Sequence, residues 1–256
     1  KEFLRMNSNS YLGMGLMKEV IEAEEKITKE FGAGPGAVRF ISGTYKPHIE
    51  LEKKLARFHN REAGMIFNSA YATMMGILSP LIYKDTIVIS DALNHNSIIS
   101  AIRLSRPKDK KIYSHNNMDE LASDIKECLG SCQRVIIVTD GIFSMRGDNA
   151  PLPEIANLAE KYDSQFEDGI LTIVDDSHGV GAIGETGRGT TEFTHENRVD
   201  ILVSTLGKGL GINGGYLVSD ARVVEYLRET APFYIYSNPI TVSEASAALK
   251  ALEILD

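Results

Sequence analysis

The sequence has 256 residues, 43% hydrophobic and 24% charged, with 22 Gly, 8 Pro, 2 Cys and a formal net charge of −8. At about 150 residues per domain the length accommodates one to two domains, and the near-average composition excludes disordered and fibrous classes. No apolar run reaches the roughly 20 residues that span a bilayer, no signal-peptide pattern opens the chain, and the acidic balance argues against nucleic acid as a partner while allowing a local phosphate site.

In chain order, the charge run Glu22–Lys26 reads as a solvated helix face, and Ile49–His59, with Leu51, Leu55 and Phe58, as a helix bearing a core stripe. A helix N-terminus follows Asn68-Ser69, and its free N–H groups make it an anion site. Strands are predicted at Thr86–Ser90, Lys111–Ser114, Val135–Thr139, Leu171–Val174, Ile201–Thr205 and Gly215–Ser219. Helical patterns lie between them near Ser97–Ser105, Met118–Leu129 and Pro153–Tyr162, and a last one runs from Ser243 to Leu255. Such alternation, with near-continuous apolar strands, predicts an α/β fold: a mostly parallel sheet with helices on both faces. The chain starts at Lys1 without Met and stops at Asp256 inside a helical run, which reads as a fragment of a longer protein. Cys128 and Cys132 have neither redox-pair nor zinc-site spacing, so two structural thiols and no metal are expected, in a reducing cytoplasm or organelle matrix.

Open parallel sheets bind ligands at the carboxyl ends of their strands. There the sequence places Asp140 to Asp148 after one strand, Asp175-Asp176-Ser177-His178 after the next, and Thr205-Leu-Gly-Lys208 after a third. Two GxGxxG matches, at Gly179–Gly184 and Gly209–Gly214, follow strands but open no helix, which removes the dinucleotide reading. Lys208 does not complete a P-loop either, because position 202 is Leu and no Ser or Thr follows the lysine. A lysine in a loop is commonly just solvated; one drawn into a desolvated site has the lowered pKa that a Schiff-base amine requires. Asp175, ending the most apolar strand, is either a turn acid or the partner of a buried cation. A pyridoxal phosphate (PLP) site needs a lysine and an acid of this kind, the acid facing the pyridinium nitrogen.

The residues resemble a known family. Asn9-Ser-Tyr-Leu-Gly13, Val38-Arg-Phe-Ile-Ser-Gly-Thr44, Asp91-Ala-Leu-Asn-His95-Asn-Ser97, Thr139 to Gly147, Val174-Asp-Asp-Ser-His178, Gly184 to Gly189 and Thr205-Leu-Gly-Lys208 are similar to blocks of the α-oxoamine synthases. These are PLP enzymes of fold type I that condense an amino acid with an acyl-CoA. Within the family, the second and third blocks look most like the glycine C-acetyltransferases.

The resemblance implies that the chain is a fold-type I large domain over residues 46–256, entered by a segment at 1–45. The family's small C-terminal domain, with the arginine that grips the amino-acid carboxylate, is absent from the sequence. Lys208 would be the Schiff-base lysine, Asp175 the pyridinium partner, and His178 the partner of the ring hydroxyl oxygen. His95 would stack on the ring and help position substrate. Ala70 and Tyr71 would receive the phosphate through backbone N–H groups, Thr205 would add a hydroxyl to it, and Ser144 would lie beside the ring. Ser237 and Asn238 would reach the phosphate of a neighbouring subunit in a homodimer, and Asn9 would border the substrate entrance. The unusually apolar Ala72–Met75 would alter the pocket floor. The implied reaction joins glycine to acetyl-CoA. Alternatives are the 8-amino-7-oxononanoate, 5-aminolevulinate and serine palmitoyl types, a PLP aminotransferase or lyase, and a scaffold subunit, whose family counterparts lack the lysine.

Overall fold

Apolar side chains that alternate along the strands divide the core into two layers. A computed structural model describes residue 4 and residues 6–256, so residues 1–3 and 5, at the start of the expected 1–45 segment, lie outside the described residues. The elements are α1 (Lys18–Phe31), α2 (Lys46–Phe58), β1 (Ala63–Phe67), α3 (Ala70–Leu81), β2 (Thr86–Asp91), α4 (Asn96–Ser105), β3 (Asp109–Tyr113), α5 (Met118–Cys128) and β4 (Arg134–Asp140). They continue with α6 (Leu152–Tyr162), β5 (Ile170–Asp175), α7 (Thr190–Phe193), β6 (Ile201–Thr205), β7 (Gly215–Ser219), α8 (Ala221–Thr230), α9 (Pro232–Ile235) and α10 (Val242–Leu255). The strands form one sheet in the order β1-β7-β6-β5-β4-β2-β3. Strands β3, β2, β4, β5 and β6 pair in parallel, and β7 runs antiparallel to both β6 and β1.

Strand alternation decides which layer each residue joins. Ile87, Ile89, Val135, Ile137, Val174 and Leu202 meet α2, α5, α6 and α10, whereas Val88, Ile136, Val138, Ile173 and Val203 meet α3, α4 and α8. Helix α3 is buried nearly all round, and this explains why its apolar residues carry no helical period. Ala72, Thr73, Met74 and Met75 belong to this buried helix, with Met74 and Met75 in the core rather than on a pocket floor. Strand β1 (Ala-Gly-Met-Ile-Phe) escaped the sequence reading because Ala, Gly and Met carry little strand preference; its ladder with β7 creates it. Cys128 and Cys132 are free thiols, and burial pushes Cys128 up to about 12, far from reactivity. Among the described residues, no helix is long and apolar enough to cross a membrane.

One buried ionic cluster ties the N-terminal loop to the sheet. Glu52 on α2 pairs with Arg39 Nη1 at 3.0 Å and with Arg228 Nη2 on α8 at 2.8 Å, and accepts the N–H of Ile66 on β1 at 3.1 Å. Arg228 also donates to Gly64 O and to the Tyr234 hydroxyl, over whose ring both guanidinium groups lie. Removing one member leaves the other charges buried and unpaired, which costs about 3–5 kcal/mol. Glu52→Ala is therefore expected to lower unfolding free energy by about that much in denaturant titration. A loss below about 1 kcal/mol would show that water compensates the two arginines.

Candidate active site

The carboxyl ends of β4, β5 and β6 deliver side chains to one edge of the sheet. Register sets Asp140 at the end of β4 beside Asp175 at the end of β5. Together with the start of α3 and the start of α4 they line a cleft of about 360 Å³, bordered by Ala70, Tyr71, His95, Asp175, His178, Thr205 and Lys208, with Ser97, Asp140 and Ser177. The structure thus gathers seven of the sequence-derived candidates in one place.

At one side of the cleft Lys208 Nζ lies 2.8 Å from His178 Nε2, whose Nδ1 lies 2.6 Å from the Tyr11 hydroxyl. Burial lowers the pKa of Lys208, against the opposing pull of Asp175 and Asp140. Burial, reinforced by the charges of Lys208 and His95, brings His178 down to about 4, so its imidazole is neutral at pH 7. Asp175 is buried, and both the N–H and the hydroxyl of Ser177 donate to its Oδ1, at 3.1 and 2.5 Å. Burial still raises its pKa, because these two donors and the Lys208 and His95 charges only partly offset desolvation. A protonated ring nitrogen is the kind of cation that would hold this carboxylate ionised. Asp140 is raised first by burial and then by Asp175; it accepts the His95 N–H at 2.8 Å. His95 caps α4, its Nδ1 meeting Ser97 N and Oγ, so it is at once a turn histidine and a cleft residue.

The anion end is built by backbone. Ser69 caps α3 by accepting the Ala72 N–H at 3.1 Å, and the first N–H groups of the helix, those of Ala70 and Tyr71, have no intrahelical acceptor. Helix α3 can start here because Gly215 faces it without a side chain: a Cβ on Gly215 would sit 2.2 Å from Ala70 N. Tyr71 is held by a 3.0 Å hydrogen bond to Asn96 Oδ1. An amine, a buried acid and free helix N–H groups match the aldehyde, ring nitrogen and phosphate of PLP, so the residues fit that group.

Other candidates stand differently. The Thr205 hydroxyl donates to Gly214 O at 3.1 Å and accepts the Gly207 N–H, so donating to a phosphate requires it to turn. Ser144 borders an adjoining cleft shared with His95 and His178. Ser237 and Asn238 do not line this cleft; Asn68 Nδ2 reaches Ser237 Oγ at 3.0 Å and Asn238 O at 3.4 Å. Asn9 is exposed and outside both clefts, its carbonyl accepting the Tyr11 N–H. Sequence reasoning assigned no role to Tyr11, Ser97, Asp140 or Ser177. Each lies inside or next to a block that resembles the family, and that proximity was the available signal.

Residues 1–254 match the family described as aminotransferase class I and II. The chain is 43% identical over 253 residues to an 8-amino-7-oxononanoate synthase of Bacillus velezensis, covering 98% of this chain and 63% of that protein. It is 44% identical over 253 residues to an enzyme of the same name from Bacillus pumilus, covering 98% of this chain and 62% of that one. Among solved structures, a serine palmitoyltransferase of Sphingomonas wittichii matches with a TM-score of 0.90 at 30% identity, over 97% of this chain and 60% of that one. The chain thus spans under two thirds of the length of these relatives. The names they carry belong to the wider α-oxoamine synthases, not to the glycine C-acetyltransferases toward which two blocks pointed.

If Gly215 gives α3 its place, Gly215→Ala should push the helix N-terminus off the phosphate position. Loss of one or two charge-assisted hydrogen bonds predicts about a tenfold or greater fall in PLP affinity, measured by absorbance titration. Unchanged affinity would remove the α3 N-terminus from the site.

Proposed function

The chain belongs to the class I and II aminotransferase family, and from that premise we propose that it forms the cofactor-binding part of a PLP-dependent α-oxoamine synthase. The observation that carries this reading is the convergence of Lys208, Asp175 and the α3 N-terminus on one cleft. When bound, PLP supplies an electron-poor ring that accepts the electron pair left on the α-carbon of an amino acid.

The residues divide the work. The Ala70 and Tyr71 N–H groups and the positive end of α3 hold the phosphate. Asp175, steadied by Ser177, holds a proton on the ring nitrogen and so keeps the ring electron-withdrawing. His178 hydrogen-bonds the ring oxygen, and His95, fixed through its backbone by Asp140, lies over the ring and orients the substrate. Lys208, its basicity reduced by burial, removes the α-proton, and once the new carbon–carbon bond has displaced the thiol and CO₂ has left, it gives a proton back to that carbon. Ser237 and Asn238 approach the neighbouring subunit's phosphate in a homodimer. Asn9 borders the substrate entrance, Thr205 lines the cleft, and Ser144 borders the adjoining cleft beside His95 and His178.

The names of the relatives suggest the substrates. In 8-amino-7-oxononanoate, carbons 8 and 9 with their amino group are an alanine without its carboxylate. Carbons 1 to 7 are a seven-carbon dicarboxylic acyl group. The proposed reaction therefore joins alanine to such an acyl thioester and releases CO₂ and the free thiol. Glycine with acetyl-CoA is the second reading, favoured by the Val38–Thr44 and Asp91–Ser97 blocks.

The test uses the full-length protein carrying these residues. It should develop a visible absorbance band with PLP, and Lys208→Ala should not. Thiol release should be at least about tenfold faster with alanine and the seven-carbon thioester than with glycine and acetyl-CoA. The reverse preference would restore the acetyltransferase reading, and absence of the band in the unaltered protein would move the scaffold-subunit alternative to first place.

A further inference from the structure

Tyr11 lies in a turn of the N-terminal segment, far in sequence from the strand ends, yet its hydroxyl is 2.6 Å from His178 Nδ1. The two rings are 6.3 Å apart and tilted by 47°, so they meet through the hydroxyl and not by stacking. On the other side of the imidazole, Nε2 meets Lys208 Nζ at 2.8 Å. The three groups form a chain from a partly exposed phenol to a half-buried amine.

Donor and acceptor rules constrain this chain. An ammonium carries donors only, so a protonated Lys208 requires a lone pair on His178 Nε2; the ring proton then sits on Nδ1 and points at the Tyr11 oxygen. A ring oxygen of PLP carrying negative charge requires the opposite, an Nε2–H donor, and Nδ1 must then accept from the Tyr11 O–H. A hydroxyl can serve in both arrangements by turning its O–H bond; a phenyl ring can serve in neither. Because burial and neighbouring positive charge keep His178 neutral at pH 7, the choice is between two tautomers and not between two charges.

We propose that Tyr11 is a positioning residue that lets His178 present a lone pair to Lys208 before PLP binds and an N–H to the PLP ring oxygen afterwards. The inference rests on the function proposed above. Other ionisable groups facing this chain are His95 at the start of α4, Asp140 at the end of β4, Asp175 at the end of β5, and Arg146 in the adjoining cleft. None of them replaces the Nδ1 partner, because the Tyr11 oxygen already holds that position.

Capture of PLP by the metal-free, cofactor-free full-length protein reads the first arrangement directly. The neutral Lys208 amine attacks the aldehyde carbon with its lone pair; a C=N bond forms, and the aldehyde oxygen leaves as water with the two amine protons. The rate therefore rises with pH as Lys208 loses its proton. In Tyr11→Phe, Nδ1–H has no acceptor, the Nε2 lone pair is less available, and the ammonium is less stabilised. The midpoint of the capture rate is expected to fall by about half a pH unit or more. In a His178→Ala background the same substitution should produce no shift, because the route through the imidazole is gone. The ring retained in Tyr11→Phe preserves the apolar contacts of the turn, and the His178→Ala pair gives a second comparison within one background. Equal midpoints in the unaltered protein and Tyr11→Phe would overturn the inference, as would a shift that persists without His178. Failure of the unaltered protein to capture PLP at any pH would overturn the functional reading and this inference together, an outcome distinct from the other two.

Discussion

Desolvation at the carboxyl edge of the sheet is the constraint on which the site depends. Water would hold Lys208 as an ammonium and Asp175 as a free carboxylate, and neither form would have reason to bind anything. Burial works against both charged forms, lowering the pKa of Lys208 and raising that of Asp175. The edge thereby carries an amine that gives up its proton more readily than a solvated lysine and an acid in need of a cation, while the α3 N-terminus supplies the positive end for an anion. These three deficits are complementary to one molecule that offers an aldehyde, a basic ring nitrogen and a phosphate.

The sheet makes that arrangement rigid. Asp140 and Asp175 stand side by side because β4 and β5 are in parallel register, and Thr205 stands opposite Gly215 because β7 returns antiparallel to β6. The reversal places Gly215 against the first residue of α3, where its missing side chain lets helix and strand approach. The same strand, β7, also pairs with the edge strand β1, whose end leads directly into Ser69 and the helix. Two packed layers beneath fix the strands, and the Glu52 cluster anchors the N-terminal loop to β1 and α8. Tyr11 belongs to that same N-terminal segment, so its approach to His178 brings chain from outside the sheet into the site.

Much of this was legible in the residues. The apolar runs at Thr86–Ser90, Val135–Thr139 and Ile201–Thr205 carry strand character independently of context, and the observed strands match them to within a residue. Residues following such strands fall at the ligand-binding edge of any parallel sheet, which is why Asp175, His178 and Lys208 could be grouped before their distances were known. What stayed hidden depends on contacts distant in sequence. β1 is a strand because β7 pairs with it, and Tyr11 matters because it meets a residue 167 positions away. Asp140 was placed at a strand end without a role, and its hydrogen bond to the His95 N–H gives it one. The hydroxyl of Thr205 illustrates the reverse case: its place was legible, but its engagement with Gly214 and Gly207 was not.

A crystal structure of the full-length protein grown with PLP tests the central claim most directly. The account predicts continuous density from Lys208 Nζ to the cofactor, the ring nitrogen within hydrogen-bond distance of Asp175, and the phosphate at the Ala70 and Tyr71 N–H groups. Cofactor bound elsewhere, or a ring nitrogen turned away from Asp175, would contradict it.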